Sequence, residues 1–221
     1  MFLYARQCYT CRAPLVMKEL KGFNRNKLFD VDFNEDAQNL RVIGIDPGTA
    51  TVGYGVLDCS GNGSKESLTY IASGIISTSK DLSPGSRLHI IRCDLVSLIE
   101  QFKPDIAAIE SLFFFKNAKT FVPVAQARGV ILEACEFMGL PAFSYTPMQV
   151  KMHLTGYGKS DKEQVQLMVA KLLDLTKIIK PDDAADAVAI AVCHSRMAIS
   201  MPPQPIIAAA AATKTRAMSQ L

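Results

Sequence analysis

Four acidic residues stand where acids are costly. Asp46 closes the apolar run RVIGID, Glu110 closes DIAAIE, and Asp183 and Asp186 lie in PDDAADAVAIAVCH. Runs of this texture form buried strands and a buried helix, where a carboxylate is unfavourable unless something pairs with it. No matching set of cations accompanies them, so a divalent metal is the natural partner. Asp183 and Asp186 are three positions apart and share one face of a helix's first turn. An Asp before Pro-Gly is also an ordinary turn former, and Asp182 and Asp183 are ordinary helix-start residues. Glu110 and Asp186 gain nothing from turns or caps, and they tip the set toward a metal site. Carboxylates without conspicuous His or Cys ligands favour Mg²⁺, with Mn²⁺ as substitute, over zinc. Such cations act mostly on phosphates, and two of them roughly 4 Å apart can activate water and stabilise a leaving oxygen.

Other chemistries have weaker support. His89, His153 and His194 are not spaced as a zinc set, and Cys8-x-x-Cys11 is a single half-motif. The remaining cysteines, Cys59, Cys93, Cys135 and Cys193, sit in apolar or helical contexts, which suits reduced core thiols in a cytoplasmic protein. No apolar run is long enough to span a bilayer, so no membrane is expected. The chain of 221 residues is 49% hydrophobic, enough to bury a substantial core. Its net charge of +3 is only mildly basic, so any nucleic-acid footprint has to be local.

The elements that must position the acids read as follows. Residues 1–40 show no sustained period and are expected to form a disordered extension. Arg6 and Arg12 without acids give residues 1–16 one trait of an organelle presequence, but acids follow from Glu19 onward. From Arg41, RVIGID, TVGYGVLD and LTYIASGIIST are three strands joined by tight turns. SPGSRLHIIRCDLVSLIEQF is a helix with Leu88, Ile91, Leu95, Leu98 and Ile99 on one face. KPDIAAIE is a buried strand, residues 117–139 a helix stopped by Gly139-Leu140-Pro141, and PAFSYT a fifth strand. SDKEQVQLMVAKLLDL opens on a capping box from Ser160 to Glu163 and aligns Val165, Met168, Val169, Leu172 and Leu173. The last helix runs from about Pro181 to Ile199. It is small and apolar nearly all round, so it must press against the sheet and carry its two acids to the strand ends. Residues 200–221 are expected to be a flexible tail. The whole is a mixed α/β layer fold, a five-stranded sheet flanked by helices, with its folded domain at 41–199.

GIDPGTATVGYGV, AIESLFFFKNAKTFVPVAQARGV, GYGKSDKEQVQLMV and DDAADAVAIAVCH, in this order and spacing, closely resemble the RuvC crossover junction endodeoxyribonucleases of bacteria. The resemblance spans about residues 41–199. It implies an RNase H-like fold, a homodimer, and Mg²⁺-dependent symmetric nicking of four-way (Holliday) DNA junctions in recombination and repair, beside the RuvA-RuvB branch-migration complex. It assigns metal binding and catalysis to Asp46, Glu110, Asp183 and Asp186. It places a base-stacking wedge at Phe113 and lysines near the scissile phosphate at Lys151 and Lys162. Lys116, Lys119, Arg128 and Lys159 are further candidates for DNA-backbone contact. The stretch 116–162 holds six Lys or Arg against three acids, a local basic bias that fits phosphate. Two other readings compete. An ATP-binding domain of the actin and sugar-kinase type would need a second similar domain, for which this chain has no repeat. A module that binds junctions without cutting them has no use for the intact acidic set, which repels phosphodiesters unless metal is present.

Overall fold

The computed structural model describes residues 39–62, 65–112, 118–200 and 206, with 61, 62, 65, 118–120, 199 and 200 in backbone only. Strands β1 (Leu40–Asp46), β2 (Thr51–Asn62), β3 (Lys65–Ser77), β4 (Ile106–Glu110) and β5 (Ala142–Tyr145) form one sheet in the order β3-β2-β1-β4-β5. Short turns make β1, β2 and β3 an antiparallel meander, whereas β4 and β5 arrive by helical crossovers and run parallel to β1. The mixed five-stranded sheet expected from the sequence is the one observed, with β1 at its centre.

Five helices cover the sheet among the described residues: α1 (Pro84–Phe102), α2 (Ala118–Phe137), α3 (Pro147–Thr155), α4 (Lys162–Leu172) and α5 (Asp182–Ser200). Strand alternation sends Ile43, Ile45, Val52, Val56 and Ile109 to one face, where Ile91, Leu95 and Ile99 of α1 and Ala127 and Ile131 of α2 meet them. Val42, Leu57, Ile106 and Ala108 face the other way, onto α3, α4 and α5. By the same parity Asp46 and Glu110 belong to the α5 face.

Two local expectations change. The sequence reading placed no element between PAFSYT and SDKEQ, yet α3 lies there. Its N-cap Thr146 and Gln149 form a reciprocal capping box, and Gly156 closes it at φ 76°. Nine residues are too few to display a helical period, but the T-P-x-Q start was legible. The cap of α4 is Asp161, paired with Gln164, rather than Ser160 with Glu163. Ser160 is buried instead, donating to the Tyr157 carbonyl at 2.8 Å.

Helix α5 lies flat on β1 and β2. From Ala184 to Ser195 every side chain but Asp186 is buried. Gly44 and Gly55 are paired across β1 and β2. A methyl at Gly44 would overlap the Ala187 carbonyl oxygen, and one at Gly55 the Val188 side chain and backbone. Glycine lets the helix backbone rest directly on the sheet.

Cys59, Cys135 and Cys193 are buried free thiols. His194 is also buried, sharing a 2.5 Å hydrogen bond between its Nδ1 and the Tyr145 hydroxyl, and burial holds its pKa down to about 4. It is therefore a neutral core residue. The Ile206 N–H donates to the Ala142 carbonyl at 2.8 Å. Residues 1–38, with Cys8 and Cys11, and the rest of 201–221 lie outside the described residues. No helix among those described is long and apolar enough to cross a membrane.

Candidate metal centre

The parallel register of β1 and β4 pairs Ile45 with Ile109, so Asp46 and Glu110 leave the two strands abreast. The two carboxyl groups are near enough for the charge of Glu110 to act on Asp46. The antiparallel register places Gly53 opposite Asp46, and a methyl at Gly53 would overlap the Asp183 carbonyl oxygen. That contact brings the first turn of α5 onto the end of β1. As a result, ligand oxygens of Asp46, Asp183 and Asp186 all lie within 4.8 Å of one another. One strand end and one helix face thus bring Asp46, Asp183 and Asp186 together, and Glu110 stands beside this group, close enough for its charge to act on Asp46.

The electrostatics of this site invert the usual carboxylate behaviour. Burial raises the Asp46 pKa to about 8, with Glu110, Asp186 and Asp183 adding to the effect. Burial likewise raises that of Glu110 to about 7, with Asp186 contributing. Lys162 Nζ sits 2.9 Å from Asp186 Oδ2 and 3.4 Å from Asp182 Oδ2. Asp182 lies outside the three-carboxylate group; hydrogen bonds from Lys180 and Gln166 hold its pKa down to about 2. It is a half-exposed first-turn acid, as the sequence suggested.

All-oxygen, carboxylate-rich and partly buried, this donor set fits a hard divalent cation and offers no sulfur or imidazole for zinc. One of these carboxylates is itself held. The Thr51 hydroxyl donates to Asp183 Oδ2 at 2.5 Å, orienting that carboxylate. Thr51 was not among the sequence candidates, because its partner lies 132 positions away.

A cleft of about 210 Å³ opens beside the acids, lined by Glu110, Lys151, Lys162, Asp186 and apolar residues of α3, α4 and α5. Lys151 and Lys162 therefore reach the site, and Lys159 is exposed in the loop before α4. Arg128 is placed differently from a backbone-contact residue. Its Nε donates to the Glu110 carbonyl at 3.1 Å and another guanidinium nitrogen to Ser144 Oγ at 2.9 Å, bracing the ends of β4 and β5. Lys119 is on the first turn of α2, and Phe113 and Lys116 lie outside the described residues.

The family model for crossover junction endodeoxyribonuclease RuvC matches residues 42–194. The chain belongs to the RuvC family. It is 53% identical to the crossover junction endodeoxyribonuclease RuvC of Thermosipho melanesiensis over 154 residues, covering 70% of this chain and 96% of that protein. Against the RuvC of Fusobacterium nucleatum the identity is 52% over 155 residues, 70% of this chain and 80% of that one. The solved Thermus thermophilus RuvC structure superposes with a TM-score of 0.70 at 33% identity, covering 76% of this chain and all (100%) of that one. The same protein in complex with a Holliday junction substrate matches at a TM-score of 0.68, 30% identity and the same coverage of 76% and 100%. The fold is RNase H-like, as the RuvC resemblance implied.

Proposed function

We propose that this RuvC-family chain resolves four-way DNA junctions by hydrolysing phosphodiester bonds, with Asp46, Glu110, Asp183 and Asp186 holding the metal. The single observation that carries this is the convergence of Asp46, Asp183 and Asp186 beside a cleft that Glu110, Asp186, Lys151 and Lys162 line. The residue chemistry favours Mg²⁺, with Mn²⁺ as its substitute and room in the carboxylate set for two ions. When bound, such ions supply an activated water and charge neutralisation at the phosphate. The protein's own groups do the rest. Thr51 holds Asp183 in place, and the Arg128 brace fixes the strand end that bears Glu110. Lys162 partly neutralises Asp186, and Lys151 puts a second cation beside the incoming phosphate.

Phe113 is the proposed wedge at the crossover, and Lys116, Lys119 and Lys159 the proposed contacts to the DNA backbone. Arg128 acts through Glu110 rather than through DNA. Two sites on a homodimer would face opposite strands and make paired cuts. Such an enzyme would work in the cytoplasm alongside the RuvA-RuvB complex. The extension at 1–40 and the tail after Ser200 fall outside this chemistry.

The test incubates purified protein with a synthetic four-way junction, a labelled linear duplex and Mg²⁺. Paired nicks in the junction with the duplex left whole are expected. Junctions that stay intact at every metal concentration would overturn the reading.

A further inference from the structure

Beside the metal centre, α3 carries a surface the catalytic chemistry does not use. At 100° per residue, the residues around α3 run from Val150 and Leu154 in the core, through Pro147 and Lys151 at the cleft, to Met148 and Met152. The two methionines are exposed, Met148 at 65% and Met152 at 48%. Gly158 packs against both, so the loop after α3 lies along this ridge. That loop presents Tyr157, whose side is 59% exposed.

The loop is tied down from within. Thr155 Oγ1 accepts from the Tyr157 N–H at 3.2 Å and shares a 2.7 Å hydrogen bond with Ser160 Oγ. Ser160 in turn bonds the Tyr157 carbonyl through both its backbone N–H, at 3.1 Å, and its hydroxyl, at 2.8 Å. The backbone of Tyr157 is thus held at both ends, while its ring takes no hydrogen bond from the described residues. An aromatic held in the open, in a loop whose Gly158 lies against two exposed methionines, gives this face the apolar character of an interaction site. Lys151 borders the patch on the cleft side, and Lys159 lies two residues beyond the tyrosine.

Apolar ring and cations side by side suit one occupant, a nucleic-acid strand whose bases are unpaired. Phosphates meet the lysines and a base face meets the ring. A protein partner would be served by the methionines alone and would gain nothing from flanking lysines that open onto an acidic cleft. We propose that Met148, Met152 and Tyr157 form a stacking platform for an unpaired nucleotide of the junction strand next to the cleaved phosphate. Tyr157 is then a substrate-positioning residue. This rests on the nuclease reading above, and it adds a second stacking contact to a site otherwise described by acids and lysines.

The test compares wild type, Tyr157→Phe, Tyr157→Ala and Met148→Ser/Met152→Ser on a four-way junction in Mg²⁺. 2-Aminopurine is placed singly at positions flanking the cut. Wild-type cleavage checks the nuclease reading by itself. Given that cleavage, Tyr157→Ala should raise the half-saturating junction concentration roughly tenfold with kcat within about twofold, as losing one stacked base implies. Tyr157→Phe should restore wild-type behaviour. One 2-aminopurine position should be quenched by wild type and Tyr157→Phe but not by Tyr157→Ala, and the double serine variant should weaken that quenching. The proposal is overturned if Tyr157→Ala saturates like wild type, if it lowers kcat alone, or if quenching at every position survives it. It is equally overturned if Tyr157→Ala changes the sedimenting mass of the protein, since the patch would then join two copies of the chain.

Discussion

Asp46 and Glu110 want protons until a cation arrives, and this sets how the enzyme responds to pH. Their folded pKa values of about 8 and about 7 lie well above the ordinary carboxylate range. A group raised on folding holds a proton that the unfolded chain has already lost, so the cation-free protein loses stability as pH rises from roughly 4 to 8. Thermal unfolding in EDTA should show the melting temperature falling across that interval, and saturating Mg²⁺ should flatten the fall. Asp46→Asn should flatten it without metal, while cutting drops by more than roughly 100-fold and junction binding persists in a gel-shift assay. Normal cutting by that variant would place the site elsewhere. Thr51→Val removes the hydroxyl that aims Asp183; Mg²⁺ titrations of activity should show a requirement shifted up roughly 10- to 100-fold. Glu110 and Asp186 stood out in the sequence because each sits in an apolar run with no turn or cap to serve, whereas Asp46 and Asp183 also have ordinary turn and helix-start roles. Thr51 did not stand out, since its bond to Asp183 spans 132 positions and leaves no pattern in either neighbourhood. Arg128 was assigned to phosphate because its charge was visible and its bonds to the Glu110 carbonyl and Ser144 were not.

At the scale of elements, period-2 alternation and helical stripes carried most of the fold. The parity that buries Val42 and Ile106 also sends Asp46 and Glu110 to the α5 face, so strand alternation already grouped those two acids. What alternation could not show was α3, too short for a period, or the one-residue shift of the α4 cap. The close fit of α5 to the sheet depends on bare glycine. Gly55→Ala would force a methyl into the Val188 backbone, and overpacking of this kind costs about 1–3 kcal/mol. Urea unfolding should register that loss as a lower midpoint with an unchanged slope. An unchanged midpoint would mean that α5 rides higher on the sheet than described.

For the molecule as a whole, the mild net charge of +3 conceals a division of labour, acids inside the cleft and lysines around it. Junction affinity should therefore fall steeply with salt, and Lys159→Ala should reduce the slope of log affinity against log salt by about 1. Fluorescence anisotropy from 50 to 200 mM salt measures that slope, and an unaltered slope would return Lys159 to plain solvent exposure. The order in which the site comes together has a consequence of its own. Asp46 and Asp183 meet only when the last helix docks, and the Thr51 tie to that helix bridges nearly the whole folded region. A ribosome releasing the chain from its N-terminus makes the β1 and β4 acids long before their α5 partners. Until α5 emerges, the nascent polypeptide carries Asp46 and Glu110 without Asp183 and Asp186, so the proposed cation site cannot assemble before the folded region is nearly complete.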